Sequence, residues 1–325
     1  MSIGTRHLVS RRTALAGFAI ATTCGSAAGR AVADTNTAER SAGPLFSPSG
    51  PDAERYGVGA FSHFDKLFPA RSIKRADTFW VWKRTPSEIR YSYRGNRSSL
   101  ADYLSRNPVT GLLIARNDRI LFEHYQYART DRDRLLSQSM VKSIMGLLIG
   151  IAVSEGAIKS VDDTVETYVP GFRGSEYGKT PIRDLLRMSS GVDFGEEKDN
   201  SSDLNRLWID MVLGLGPTKG TISGIIQFNR RIAPPGTRIY YASIEPDVLG
   251  VILRSVVNQS ASDYLRQKIW EPIGAEADAA WLVDAQGFEV AYFGFNAALR
   301  DYARLGRLLA MTASGKAGRS YRRNG

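Results

Sequence analysis

The sequence has little of what most catalytic centres are built from. Its single cysteine, Cys24, and its three histidines, His7, His63 and His124, are too few and too scattered to make a zinc site. A Ser-His-Asp hydrolase would need a histidine together with a G-x-S-x-G turn, and no such turn occurs. His124 lies in a strand-like stretch, where a satisfied ring is the simpler reading. The glycines of GLGPTKG, residues 214–220, follow neither the dinucleotide nor the P-loop order and read as a plain loop. The longest fully apolar run, Ile144 to Val153, is about half of the ~20 residues a membrane span requires.

Charge excludes another class. The net charge is +10, but Arg6, Arg11, Arg12 and Arg30 supply four of those charges at one end. Lys316, Arg319, Arg322 and Arg323 supply four more at the other. The interior keeps +2, and its aromatics sit in apolar surroundings, so no nucleic-acid surface is expected.

What is present falls into three stretches. In residues 1–33, Ser10-Arg11-Arg12 precedes a weakly apolar segment and the small-residue site Ala31-Val32-Ala33. That order is an export signal, and the paired arginines favour the twin-arginine route. The mature chain would begin at Asp34, in the periplasm or outside the cell, with Cys24 lost and no disulfide possible. Lipidation at Cys24 is not expected, because Ala21-Thr22-Thr23 lacks the apolar residue that normally opens a lipobox. Residues 34–60 are rich in Ser, Gly, Pro and Ala and read as a linker. Residues 61–325 form the folded domain, with a helical subregion at about 131–272. Its first hairpin signal is TGLLIA and RILFEHYQY around Arg116-Asn117-Asp118. A second β-like stretch, Ala280 to Phe293, leads into a helical pattern from Ala297 to Met311. The simplest architecture is a sheet built from both ends of the chain with the helical region inserted between.

The chemistry is concentrated in LLSQSMVKSIMGLLIGIAVSEG, residues 135–156. Lys142 stands immediately before the apolar run, and burying an ammonium without a partner is costly. If a helix starts at Ser139, then Lys142 and Ser143 lie one turn on and on the same face, about 60° and 40° from Ser139 around the axis. The run beyond them reads as a central helix, with Gly146 and Gly150 admitting a close neighbour. A serine hydroxyl needs a base to become a nucleophile, and a desolvated lysine can act as one. By itself S-x-x-K is weak, since chance gives about one in a chain of this composition.

Two further segments follow it in order, TPIRDLLRMSSGVDF at 180–194 and PGTRIYYASIEPDVLG at 235–250. Together the three resemble the serine β-lactamase and penicillin-binding-protein superfamily over roughly residues 61–315. The branch is class C-like, among esterases and 6-aminohexanoate-dimer hydrolases. The resemblance implies an α+β fold of the β-lactamase/transpeptidase type, an antiparallel sheet flanked by helices. It implies an acyl-enzyme on Ser139, Lys142 as base, Tyr241 as proton relay and Ser243 as an auxiliary hydrogen-bonding residue. Tyr241-Ala242-Ser243 stands where the family carries Y-x-N or Y-x-S; Tyr240 is the neighbour not chosen. A phenol beside an ammonium is drawn toward its anion and can relay a proton, although a buried aromatic with a satisfied hydroxyl would look the same in sequence.

No cofactor is implied, and the expected partner is a small ester or amide. The alternatives are a penicillin-recognising D,D-peptidase or β-lactamase, and an inactive remnant. Departures from the pattern matter. Ser202-Asp203-Leu204 half matches the S-D-N of class A, and Lys198 stands where the nylon-hydrolase branch carries an aromatic. Lys219-Gly220-Thr221 has the wrong order and place for a K-T-G motif. The family's last strands, which supply a second oxyanion donor, are expected to be missing, leaving this chain nearly inactive.

Overall fold

The computed structural model describes residues 59, 61–62, 64–107, 109–196, 202–218 and 220–313. The expected export signal, the expected linker apart from Gly59, and His63, Lys198, Lys219 and the basic tail lie outside the described residues.

Among the described residues there are nine strands: β1 (Ala70–Ile73), β2 (Lys83–Arg84), β3 (Arg90–Tyr93), β4 (Asn96–Ser99), β5 (Gly111–Arg116), β6 (Arg119–Tyr125), β7 (Arg134–Leu136), β8 (Ala279–Leu282) and β9 (Phe295–Ala298). Three long helices accompany them: α1 (Val141–Ser154), α2 (Ile244–Val257) and α3 (Leu299–Ala313). The main sheet runs β1-β8-β9-β7, antiparallel throughout, with Ala70 opposite Leu282, Ala280 opposite Asn296 and Leu136 opposite Asn296. It is built from both sides of the helical segments between residues 138 and 270. Its two central strands, AAWL and FNAA, are buried at every position. Both faces of the sheet are therefore covered, and these strands lack the alternation of a half-exposed one.

The hairpin expected around Arg116-Asn117-Asp118 is β5–β6, turned by Asn117 at φ 58°. It joins a separate sheet, β2-β6-β5, in which the short β2–β6 pairing is parallel. The hairpin β3–β4 makes a third sheet. The stretch from Ala280 to Phe293 is not one strand. After β8 the chain reverses through Asp284 to Gly287, whose φ is 78°, and regains strand geometry only at Phe295. Gly294 permits that return, because a Cβ there would lie 2.9 Å from Leu282 Cβ.

In α1 the buried residues are Val141, Ile144, Met145, Leu148, Ile149 and Ala152, one stripe at the helical period. The expectation of close packing at Gly146 and Gly150 fails, since nothing lies within 4 Å of a Cβ at either position and Gly150 is exposed. An apolar sequence on all sides could not reveal which face would be covered. The close approach is made from α2: a Cβ on Gly250 would sit 3.5 Å from Met145 Cε and 3.8 Å from Ala291 Cβ. Helix α2 carries Pro246 in its first turn, where a missing N–H costs nothing, and ends at Asn258 in the left-handed conformation. Phe64, Phe68, Trp208 and Phe293 stack with centroids 5.1–6.5 Å apart. They join the first described residues to the helical region and the main sheet.

Candidate active site

Strand β7 delivers the chain to Ser139. The Ser137 N–H donates to the Phe295 carbonyl at 2.8 Å, which ties the following turn to β9. Ser139 then sits on a single 3-10 turn, Gln138–Met140, that runs directly into α1. Gln138 has φ 48°, a left-handed conformation that costs a non-glycine residue roughly 1–3 kcal/mol and recurs at functional sites. One turn later Lys142 Nζ lies 3.0 Å from Ser139 Oγ. The same nitrogen donates to the Tyr292 carbonyl at 2.7 Å.

The third member arrives from far along the chain. Residues 234–241 are hung from the SSG segment: the Ile232 N–H donates to the Gly191 carbonyl, Gly236 to Ser189 and Tyr240 to Met188, at 2.8, 2.8 and 2.7 Å. Gly191, at φ 74°, is required by closeness as well as by backbone, because a Cβ there would fall 1.9 Å from the Ala233 carbonyl oxygen. This pairing explains why the motifs at 180–194 and 235–250 occur together. It leaves Tyr240 on the Met188 side, under the Arg238 guanidinium at 5.5 Å, and turns Tyr241 toward α1. The Tyr241 hydroxyl donates to Ser139 Oγ at 2.8 Å, and Lys142 Nζ lies 5.0 Å from the Tyr241 ring centroid. Ser139, Lys142 and Tyr241 therefore form one constellation, open to solvent, with Tyr241 48% exposed.

Ser243 is placed differently. It is buried, and its hydroxyl donates to Glu196 Oε2 at 3.1 Å while its N–H donates to Glu196 Oε1. In this arrangement it faces Glu196 rather than the nucleophile. Glu196 was not singled out from sequence, although it stands two residues beyond SGVDF. His124 is exposed on β6, in the other sheet.

The groups behind the constellation have shifted proton affinities. Burial pushes the Asp247 carboxyl up to about 8; the Ala291 N–H and the charge of Lys142 pull the other way. Burial likewise pushes Glu245 up to about 8, opposed by hydrogen bonds from Ser190. The Tyr292 phenol is raised well above its ordinary value by burial, then by Asp247 and Glu196.

A family model described as Beta-lactamase matches residues 99–322. The chain is 28% identical over 257 residues to the 6-aminohexanoate-dimer hydrolase of Paenarthrobacter ureafaciens, covering 77% of this chain and 64% of that protein. It is 26% identical over 189 residues to a protein of Escherichia coli (strain K12) named "Putative D-alanyl-D-alanine carboxypeptidase", covering 51% of this chain and 42% of the relative. Against these curated relatives the chain thus spans less than two thirds of their length. Among solved structures, "Putative 6-aminohexanoate-dimer hydrolase from Bacillus anthracis" superposes with a TM-score of 0.70 at 20% identity, covering 78% of this chain and 69% of that one.

Proposed function

This chain is a member of the beta-lactamase family, and from that premise we propose that it is an exported serine hydrolase that cleaves a small ester or amide through an acyl-enzyme on Ser139. The observation that carries the reading is the double approach to Ser139 Oγ, by Lys142 Nζ at 3.0 Å and the Tyr241 hydroxyl at 2.8 Å. Lys142 takes the Ser139 proton as Oγ bonds to the acyl carbon. Tyr241 passes a proton to the leaving oxygen or nitrogen as that bond breaks, and recovers one through Lys142. Water then attacks the acyl carbon by the same route in reverse, and Ser139 regains its proton. The relative from Paenarthrobacter ureafaciens, named for an amide substrate, supports an acyl group of this class. Ser243 assists by holding the turn that carries Tyr241. Export rests on Arg11-Arg12 and Ala31-Val32-Ala33, and N-terminal sequencing of the exported protein should begin at Asp34.

The test is covalent labelling. A fluorophosphonate should attach to Ser139 in the full chain, and Ser139→Ala should abolish it; labelling that survives, or maps to Ser143, refutes the assignment. The E. coli relative's name favours a second reading, a penicillin-recognising peptidase. Faster turnover of nitrocefin than of p-nitrophenyl esters would select it.

A further inference from the structure

Behind the exposed constellation lies a carboxylic acid that acyl transfer, as described above, does not use. Asp247 is in the first turn of α2, four residues after Ser243, and is fully buried. Its Oδ1 accepts from the Ala291 N–H at 2.8 Å, and its Oδ2 has no hydrogen-bond partner among the described residues. The residue after Ala291 is Tyr292, whose carbonyl accepts from Lys142 at 2.7 Å. One peptide unit therefore links the acid to the lysine beside the nucleophile. The packing agrees, because Gly250, one turn along α2, faces Met145 of α1 and Ala291 together, and Met145 is one turn beyond Lys142.

A lone N–H acceptor does not need to be an acid. Asparagine would serve that bond equally well, with its amide nitrogen in place of the second carboxyl oxygen. What the acid adds is a site for a proton near Lys142. The charged groups that act on it come from two elements: Lys142 on α1 favours its ionised form and Asp284 in the β8–β9 turn disfavours it; the Tyr292 phenol beside it is raised by burial and then by Asp247.

We propose that Asp247 is a positioning residue for Lys142: it fixes the Ala291–Tyr292 backbone that holds the lysine, and its neutral form leaves Lys142 free to act as the base while its ionised form keeps the proton on Lys142. The proposal rests on the acyl-transfer reading for its consequence in rate, but the link between the two groups can be tested without it.

The experiment uses the full chain and Asp247→Asn, which keeps an acceptor for the Ala291 N–H and removes the ionisable group. The rate of fluorophosphonate labelling is followed between about pH 5 and 10. In Asp247→Asn the acid limb should move to lower pH by about one unit, the size of shift that a nearby carboxylate imposes, with the plateau within several-fold of wild type. Glu245→Gln, which removes the other buried carboxyl on α2, should leave the limb in place. An unmoved limb in Asp247→Asn, or an equal movement in Glu245→Gln, overturns the proposal.

A second measurement stands if Asp247→Asn does not fold or if Ser139 proves unreactive. Infrared difference spectra of the Glu245→Gln chain, in which the other buried acid raised to about 8 is gone, should show a protonated carboxyl band disappearing as pH rises through about 8. Lys142→Met should raise that midpoint, because a cation that favours the carboxylate is gone. A midpoint indifferent to Lys142→Met overturns the proposal, whereas absent labelling with a moved midpoint sinks only the acyl-transfer reading.

Discussion

Tyr241 and Asp247 are six residues apart on one segment, yet they meet opposite environments. Tyr241 is 48% exposed and its hydroxyl is spent on Ser139 at 2.8 Å; Asp247 is buried, with one carboxyl oxygen unpaired among the described residues. Glu245, between them, shares the second condition, with Oε1 accepting from the Ser190 N–H at 3.3 Å and Oε2 without a partner among the described residues. The front set can fall back on water whenever its partners move, so its geometry costs little stability. The back set has no such recourse, and an unpaired buried polar atom costs about 1–3 kcal/mol. Two such acids buried in the first turn of α2, a few residues after Tyr241, are destabilising groups kept close along the chain to the candidate site.

The sharpest way to break this contrast is to compare losses in acylation. Lys142→Ala should slow labelling of Ser139 by about 10²–10⁴-fold, the usual cost of removing a positioned base. Tyr241→Phe, which keeps the ring 5.0 Å from Lys142 and removes only the hydroxyl, should cost at least ~10²-fold by the same rule. Glu245→Gln should leave the labelling rate within several-fold of wild type. If Glu245→Gln matches the loss of Lys142→Ala, the front and back sets are not separate, and the assignment of chemistry to the exposed side fails.

Stability should respond in the opposite sense. Glu245 and Asp247 each hold a proton in the folded state up to about pH 8, whereas an unfolded carboxyl releases it near pH 4. Between those values the folded chain binds more protons than the unfolded one, so stability is greatest at the acid side and declines as pH rises toward 8. Each group contributes up to about 1.4 kcal/mol per pH unit. Asp301, raised to about 6 by burial, adds to the decline only below that value. Carboxylates held low by partners, such as Asp118 beside Lys83, act in the opposite direction at more acid pH. Urea midpoints should therefore fall from pH 6 to 8, and the double substitution Glu245→Gln/Asp247→Asn should flatten the slope. A midpoint that rises over this interval would mean that the two acids are ionised in the folded chain.

The same division governs what could be read from sequence. The exposed set was legible because its members are side chains at fixed spacing: Ser139 and Lys142 share a helical face by arithmetic, and Tyr241 follows a Pro-Gly turn. Sheet strands drawn from both sides of the helical region could likewise be anticipated. The back set was not legible. The Tyr292 carbonyl that receives Lys142 is backbone and leaves no trace in residue type. Asp247 lay within a recognised motif, PDVLG, yet its burial depends on Ala291, 44 positions away. Gly146 and Gly150 misled for a related reason, since an all-apolar run does not say which side a neighbour will occupy. Glu196 is the intermediate case, close to SGVDF in sequence but given meaning only by Ser243.

That intermediate position makes Ser243 the finest test. The family resemblance implies an auxiliary hydrogen-bonding role for Ser243; if that role were played on the substrate itself, Ser243→Ala would weaken acylation strongly and selectively, with the fold unchanged. The geometry assigns it to Glu196 instead, through the hydroxyl at 3.1 Å and independently through the backbone N–H. Alanine removes the first link and keeps the second, so the loss should be that of one hydrogen bond, about 0.5–1.5 kcal/mol, in stability. Labelling of Ser139 should fall less than about tenfold, because Tyr241 is still carried by the backbone held at Met188 and Ser189. Glu196→Gln, which keeps an acceptor and removes the charge, should do no more than Ser243→Ala. A loss of 10²-fold or more in labelling by Ser243→Ala at unchanged melting temperature would move Ser243 from the back set to the front, and the line between the two would have to be redrawn through the middle of the Tyr241-Ala242-Ser243 turn.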